Sequence, residues 1–309
     1  MAAFSDFRYP TTRFAKLFSG LLALLLFGFV SVSTISGFLL YQILRPARNP
    51  ATFDLNVMMG HPTVFSFPLP DGRTRDGWLF PGLRGAPVVI VCHGYLSQRA
   101  DVLTLVTALQ DHQFNVVLFD FAGHGTSPGV TTLGYRETGE LRAAVNALST
   151  RDDLDSRRVG LWGVDMGGYA ALEVAATDPQ IKALAVDDAY SDPRDMVRIE
   201  VQKSGLTALP GVLRFSEFAF KLLNYSFRND PPVSKLLGGT AGTAKLFIQS
   251  DDRAALAQET LQLFEDAPQP KQTLRDPLSY RDMSDDDRKT YESQIVNFFL
   301  QNIPPSSFR

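Results

Sequence analysis

Residues 158–172 read RVGLWGVDMGGYAAL. An apolar run over 158–164 predicts a strand, and 167–177 resumes with the spacing of a helix. A strand that turns directly into a helix needs small residues around the turn, and Gly163 and Gly167 meet that need. The pattern is G-x-nucleophile-x-G, in which the turn pushes the central side chain into a site beside a helix N-terminus that favours negative charge. The central residue here is Asp165. An ordinary glycine-rich turn capped by an aspartate reads the same locally, so the surrounding segments must decide.

Working outward, strands and helices alternate. Pro87–Cys92 (PVVIVC) is a continuous apolar, β-branched run, as expected of a strand covered on both faces. Further strands are expected at 115–120, 182–187 and 245–250, with helices at 100–110, Tyr135–Leu148, 255–266 and 287–300. Residues 63–69 and 76–80 read as an opening hairpin around Asp71-Gly72. This alternation predicts an α/β fold with a mostly parallel sheet and helices on both faces. It stops over about 191–243, where apolar helical patterns at 196–201 and Val212–Leu223 precede Pro231-Pro232. That stretch is expected to be a helical lid over the C-terminal edge of the sheet, where ligands bind in such folds.

Residues 17–44, LFSGLLALLLFGFVSVSTISGFLLYQIL, carry no charge. A bilayer core needs roughly 20 apolar residues. A cleaved signal peptide has a shorter apolar core, about 7–15 residues, before a small-residue cleavage site; here the run is longer and no A-x-A follows. A single transmembrane anchor is the expectation, with the lipid bilayer as its partner. Arg8, Arg13 and Lys16 precede it and Arg45 and Arg48 follow, which by the positive-inside rule gives an extracytoplasmic body. The expected organisation is a tail 1–16, the span 17–44, a linker 45–62, a domain 63–301 and a tail 302–309.

The 309 residues include one Cys and four His, with a formal net charge of −3. One Cys excludes an intramolecular disulfide framework and any multi-Cys zinc or iron–sulfur centre. No metal or cofactor is expected. The acidic balance gives no footprint for nucleic acid. Removing residues 1–48, with five basic residues and one acidic, leaves a body of −7, which would not adhere to anionic lipid by itself. The histidines are His61, His93, His112 and His124, and none follows.

Two more motifs carry chemistry. Cys92-His93-Gly94-Tyr95 ends an apolar strand, and the Tyr95 backbone N–H, with that of Met166, is placed to form an oxyanion hole. Residues 120–129 (DFAGHGTSPG) form a glycine-rich loop after the next strand. His93 and His124 are expected to brace loops, and Cys92 to be a buried core residue. Together HGYLSQRADVL (93–103), VVLFDFAGHGTSPG (116–129), TTLGYRETGEL (131–141), GVDMGGYAAL (163–172) and ALAVDDAY (183–190) resemble the serine aminopeptidase-like and acyl-hydrolase-like group of α/β-hydrolases. The resemblance implies an α/β-hydrolase sheet and acyl transfer by a Ser–Asp–His triad without a cofactor.

The chain departs from that triad. Asp165 stands at the nucleophile position. The acid, expected after the strand at 245–250, falls on Arg253, or on Asp252 if one residue is deleted. The place of the family's histidine, near 279–281, is held by Tyr280 or a neighbour. Serine needs a base to attack at neutral pH, whereas an aspartate is already ionised but still needs a base to clear its ester. A carboxylate beside the two N–H groups would also fill the hole and repel an oxyanion. The expectation is therefore a membrane-anchored protein without triad chemistry, kept as a scaffold or as a binder of a small-molecule or acyl ligand. The alternative is an active hydrolase of ester, amide or haloalkane type with Asp165 as nucleophile.

Overall fold

The computed structural model describes residues 13–306 apart from Asn49 and 52–59. Most of the expected tail 1–16, part of the linker 45–62 and the end of the tail 302–309 lie outside the described residues. Helix α1 (Arg13–Leu44) is followed by β1 (Thr63–Pro68), β2 (Thr74–Phe80), β3 (Pro87–Cys92), α2 (Leu103–Asp111), β4 (Asn115–Phe119) and α3 (Tyr135–Leu148). Then come β5 (Asp155–Val164), α4 (Asp165–Thr177), β6 (Ile181–Asp187), α5 (Pro193–Lys203) and α6 (Val212–Leu223). The chain closes with β7 (Ala244–Ser250), α7 (Ala254–Asp266), β8 (Lys271–Asp276) and α8 (Asp285–Asn302).

The sheet has eight strands in the order β1-β2-β4-β3-β5-β6-β7-β8. The hairpin β1–β2 is antiparallel, and β2 joins β4 antiparallel. All other pairings are parallel. Successive side chains of a strand point to opposite faces, and β3 shows the result. Val88, Ile90 and Cys92 enter the core shared with α3, α4 and α7, while Val89 and Val91 enter the core shared with α2 and α8. A strand that feeds two cores has no room for a polar face, which explains its unbroken apolar sequence.

Two features differ from the sequence expectation. Strand β8 was not anticipated. KQTLRD carries three charges and lies at the sheet edge, exposed or half-buried throughout, so it lacks the apolar signal of the interior strands. The other feature is α1. Its last turns are not a separate anchor: Leu39, Leu40, Ile43 and Leu44 are buried in the first core. The Ile43 carbonyl accepts from the Tyr95 hydroxyl at 2.9 Å, and Thr131 N donates to the Leu44 carbonyl at 3.1 Å.

The step from β5 to α4 has no intervening residue, because the helix begins at Asp165 rather than at Gly167. Asp165 has φ +38°, a left-handed conformation that a side chain adopts at a cost of about 1–3 kcal/mol. The crowding fixes the glycines around it. A Cβ at Gly163 would come 2.5 Å from the Gly167 carbonyl oxygen, and one at Gly167 would come 2.5 Å from that of Cys92. Gly167→Ala is expected to lower the melting temperature of the full-length protein in detergent by about 5–10 °C, as a loss of about 2–4 kcal/mol implies for a domain of this size. An unchanged Tm would mean that the turn relaxes freely.

Candidate functional site

The elbow brings Asp165 against the loop that leaves β3. Its Oδ1 accepts from the Tyr95 N–H at 2.6 Å and from the Met166 N–H. The two donors proposed from sequence therefore converge on one oxygen, and that oxygen belongs to the protein itself. The close approach requires glycine at position 94, where a Cβ would lie 2.9 Å from the same Oδ1. Met166 is buried, with its sulfur 3.2 Å from the Thr131 hydroxyl, which donates its proton to Glu137 at 2.7 Å.

The second carboxylate oxygen is also occupied. After β7 the chain makes a single tight turn over Asp251–Arg253, and Arg253 reaches back across the sheet edge. Its guanidinium donates to Asp165 Oδ2 at 3.0 Å and lies 4.0 Å from Asp188 Oδ2. Burial alone would weaken this cation, but the facing Asp165 and Asp188 carboxylates outweigh it and hold the guanidinium above its ordinary pKa. Sequence reasoning noted Arg253 as the occupant of the acid position but did not foresee the elbow carboxylate as its partner.

Two acids beneath this pair were quoted in the motif ALAVDDAY without a role. Asp187 ends β6 fully buried; it accepts from the Tyr291 hydroxyl at 2.9 Å, and Tyr291 in turn accepts from the Trp162 indole N–H. Burial, reinforced by the neighbouring Asp188, pushes its carboxyl well above the usual range, although the Tyr291 bond opposes this. Asp188 sits at φ +49° with Oδ1 accepting from Ser250 N at 3.0 Å. Burial pushes it up to about 6, against the opposing pull of Ser250 and Arg253. Two adjacent aspartates closing an apolar strand were the available signal for this cluster.

Asp252 and Tyr280 do not converge on the elbow. Asp252 accepts from the Ser279 N–H at 2.9 Å and from its hydroxyl at 3.0 Å, so it ties the β7 turn to the loop before α8. Tyr280 is buried against Trp162 and Tyr291. Its hydroxyl donates to Glu292 at 2.8 Å, and burial next to that carboxylate moves its pKa far up. A phenol held in this way is no base for Asp165, although Tyr280 lines the cavity over the elbow.

The histidines brace loops. His93 is fully buried, with Nε2 accepting from Phe121 N at 3.0 Å and Nδ1 donating to the Gly94 carbonyl at 2.9 Å. That pair of bonds selects the neutral ring, and burial lowers its pKa. His124 donates from Nδ1 to Ala122 O, and burial lowers it to about 4. Neither is hydrogen-bonded to Asp165 in the described structure. Cys92 is buried in the core, and burial raises its thiol pKa. Among the described residues, no three His, Cys, Asp or Glu side chains gather to hold a metal ion.

A cavity of about 520 Å³ opens over the elbow. Its floor includes Asp165, Val164 and Tyr95; Ile199 and Lys203 of α5 form one wall, and Arg253 and Tyr280 the other. The Asp165 floor is closed on itself, while Glu200, Lys203, Arg281 and Asp282 also line the cavity, so a ligand meets charged as well as apolar surface.

Comparison with known proteins agrees with the fold. A family model described as the alpha/beta hydrolase fold matches residues 87–230. An uncharacterized 31.7 kDa protein of the traX-finO intergenic region of Escherichia coli is 28% identical over 144 residues, 46% of this chain and 47% of that protein. The chain thus spans about half the length of that relative. The uncharacterized protein YfhR of Escherichia coli K12 is 24% identical over 251 residues, 78% of this chain and 81% of that protein. Among solved structures, a Pyrococcus furiosus esterase superposes with a TM-score of 0.66 at 20% identity, over 85% of this chain and 99% of that one.

Two outcomes test the electrostatics of the site. Arg253→Ala is expected to cost about 2–4 kcal/mol by leaving a buried carboxylate unpaired. Combined with Asp165→Asn it should cost less than the sum of the two single changes, as read by denaturant titration; strict additivity would mean that the pair is not coupled. For Asp188 the folded pKa is raised above the ordinary aspartate value of 3.8. Its burial penalty is therefore absent at low pH and grows as pH rises from near 4 to about 6. Asp188→Asn is expected to stabilise the protein above about pH 6, by at most about 3 kcal/mol, with the gain vanishing below pH 4 in melting curves. A gain that is independent of pH would contradict this.

Proposed function

The chain has the α/β-hydrolase fold, and from that premise we propose that it is a membrane-anchored binding protein without triad hydrolysis. The observation that carries this reading is the closure of the Asp165 carboxylate by the Tyr95 and Met166 N–H groups on one oxygen and by Arg253 on the other. A hydrolase of this kind needs the two N–H groups free for a developing oxyanion. Here they are satisfied before any ligand arrives. For alkyl transfer to Asp165, Oδ1 in the hole would be acceptable, but the attacking Oδ2 is held by a guanidinium. Hydrolysis of the resulting ester needs a base within hydrogen-bond reach, and His93 and His124 are bonded to loop backbone. The ligand is a small molecule or acyl compound taken into the cavity under α5.

The anchor is α1. Residues Ala15–Leu44 form a helix with a mean hydropathy of 2.1 over its most apolar window, none of it buried. A helix of 30 residues is about 45 Å long, more than a bilayer core of about 30 Å. The excess of basic residues before it supports an extracytoplasmic body.

Full-length protein in detergent is expected to turn over neither p-nitrophenyl butyrate nor 1-bromobutane above the buffer rate, with Asp165→Asn indistinguishable from the unmodified chain. Turnover that Asp165→Asn abolishes would overturn the proposal in favour of an active hydrolase with Asp165 as nucleophile.

A further inference from the structure

Helix α6 presents a face that the fold leaves uncovered. Val212, Ser216 and Phe220 point inward and are buried. Arg214, Phe218, Lys221, Leu222 and Tyr225 form an exposed stripe at helical spacing that runs past the helix end. Outside α1, five large hydrophobic side chains among the described residues are more than half exposed. Four of them are here: Phe218 at 62%, Leu222 at 62%, Leu223 at 68% and Tyr225 at 57%. Such a cluster marks an interaction surface rather than scattered surface apolarity.

The position of α1 identifies the partner. From Leu17 to Val30 every residue of α1 is exposed, and from Ser31 onward the body begins to cover one side. Those 14 exposed residues span about 21 Å at about 1.5 Å per residue, which is short of a hydrocarbon core of about 30 Å. The missing length must come from residues up to about Ser36. That stretch is where α6 packs. The Phe29 and Phe215 rings meet edge to face at 6.0 Å, and the Ser36 hydroxyl donates to the Val212 carbonyl at 3.1 Å. Phe29, Val32, Phe215 and Phe218 wall a groove between the two helices, so the apolar surface of the anchor continues onto α6 without a break.

We propose that α6 lies in the interfacial layer of the bilayer beside α1, with its exposed stripe as a second, in-plane membrane contact. This inference rests on α1 being an anchor. The stripe has the composition of an interfacial helix: aromatic and leucine side chains to enter the headgroup boundary, and Arg214 and Lys221 to face lipid phosphates. Arg228 stacks on Tyr225 at 4.3 Å, placing a third cation at the same level. The Glu217–Arg198 ion pair ties α6 to α5, which lines the cavity, so the proposed contact lies one helix away from the cavity.

The chain suits a direct test, because its single cysteine, Cys92, is buried. Nitroxide labels are placed by Leu24→Cys on the anchor, Phe218→Cys and Leu222→Cys on α6, and Ser293→Cys on the exposed face of α8. The full-length protein is reconstituted in phosphatidylcholine–phosphatidylglycerol vesicles, and collision with oxygen is compared with collision with a water-soluble nickel chelate. The expected result is an oxygen-to-nickel ratio at 24, 218 and 222 several-fold above that at 293. If 24 is in lipid while 218 and 222 match 293, the inference fails and the anchor stands. If 24 is in water too, both fail. Labels at 218 and 222 that are shielded from both reagents and broaden one another would place a second copy of the chain on this face, and would also overturn the inference.

Discussion

The carboxylate of Asp165 is the group around which the rest of the molecule is arranged. It is buried at a strained turn and ligated on one oxygen by two backbone N–H groups and on the other by a guanidinium. Each partner comes from a different strand end: Tyr95 after β3, Met166 after β5 and Arg253 after β7. A buried charge without such company would be costly, so three loops, with Tyr95 and Arg253 at 158 residues' separation (253 − 95), are held in register by the need to neutralise one anion. Glycines 94, 163 and 167 exist to let backbone approach that anion and its turn.

The same ion pair explains why acids can sit below it. Asp187 and Asp188 are adjacent and buried, and two ionised carboxylates there would repel each other strongly. Burial and the neighbouring Asp188 push the Asp187 carboxyl up, against the Tyr291 bond, and Asp188 shares the Arg253 field. Arginine suits the position because its planar fork carries charge into a partly buried site with less loss of hydration than a lysine ammonium. Among the described residues Arg253 serves both Asp165 and Asp188, which makes it less replaceable than either acid.

The α/β alternation, the elbow and the two N–H donors were legible in sequence, since each depends on local patterning: continuous apolar strands, G-x-D-x-G, and glycine after the His93 loop start. What was not legible depends on contacts between remote segments. The identity of Arg253 was plain, but its partner is set by how the end of β7 faces that of β5. Counting along the chain brings Tyr280 to the cavity, but that its hydroxyl is bonded to Glu292 depends on how α8 packs. Strand β8 escaped because an edge strand need not be apolar. The end of α1 escaped because an uncharged helix reads the same whether its neighbours are lipid tails or leucines.

That last ambiguity has a consequence for handling the molecule. Tyr95 is bound at both ends: its backbone N–H holds the elbow anion, and its hydroxyl is sealed under the Ile43 carbonyl at the close of α1. A soluble fragment trimmed after the helix would therefore be a different object. It would lose Leu39, Leu40, Ile43 and Leu44 from the core, and it would leave the Tyr95 phenol without its acceptor, on a residue of the cavity floor itself. In this chain the last turns of α1 are a keystone of the domain the helix precedes, so the domain's natural boundary runs through α1 and not after it.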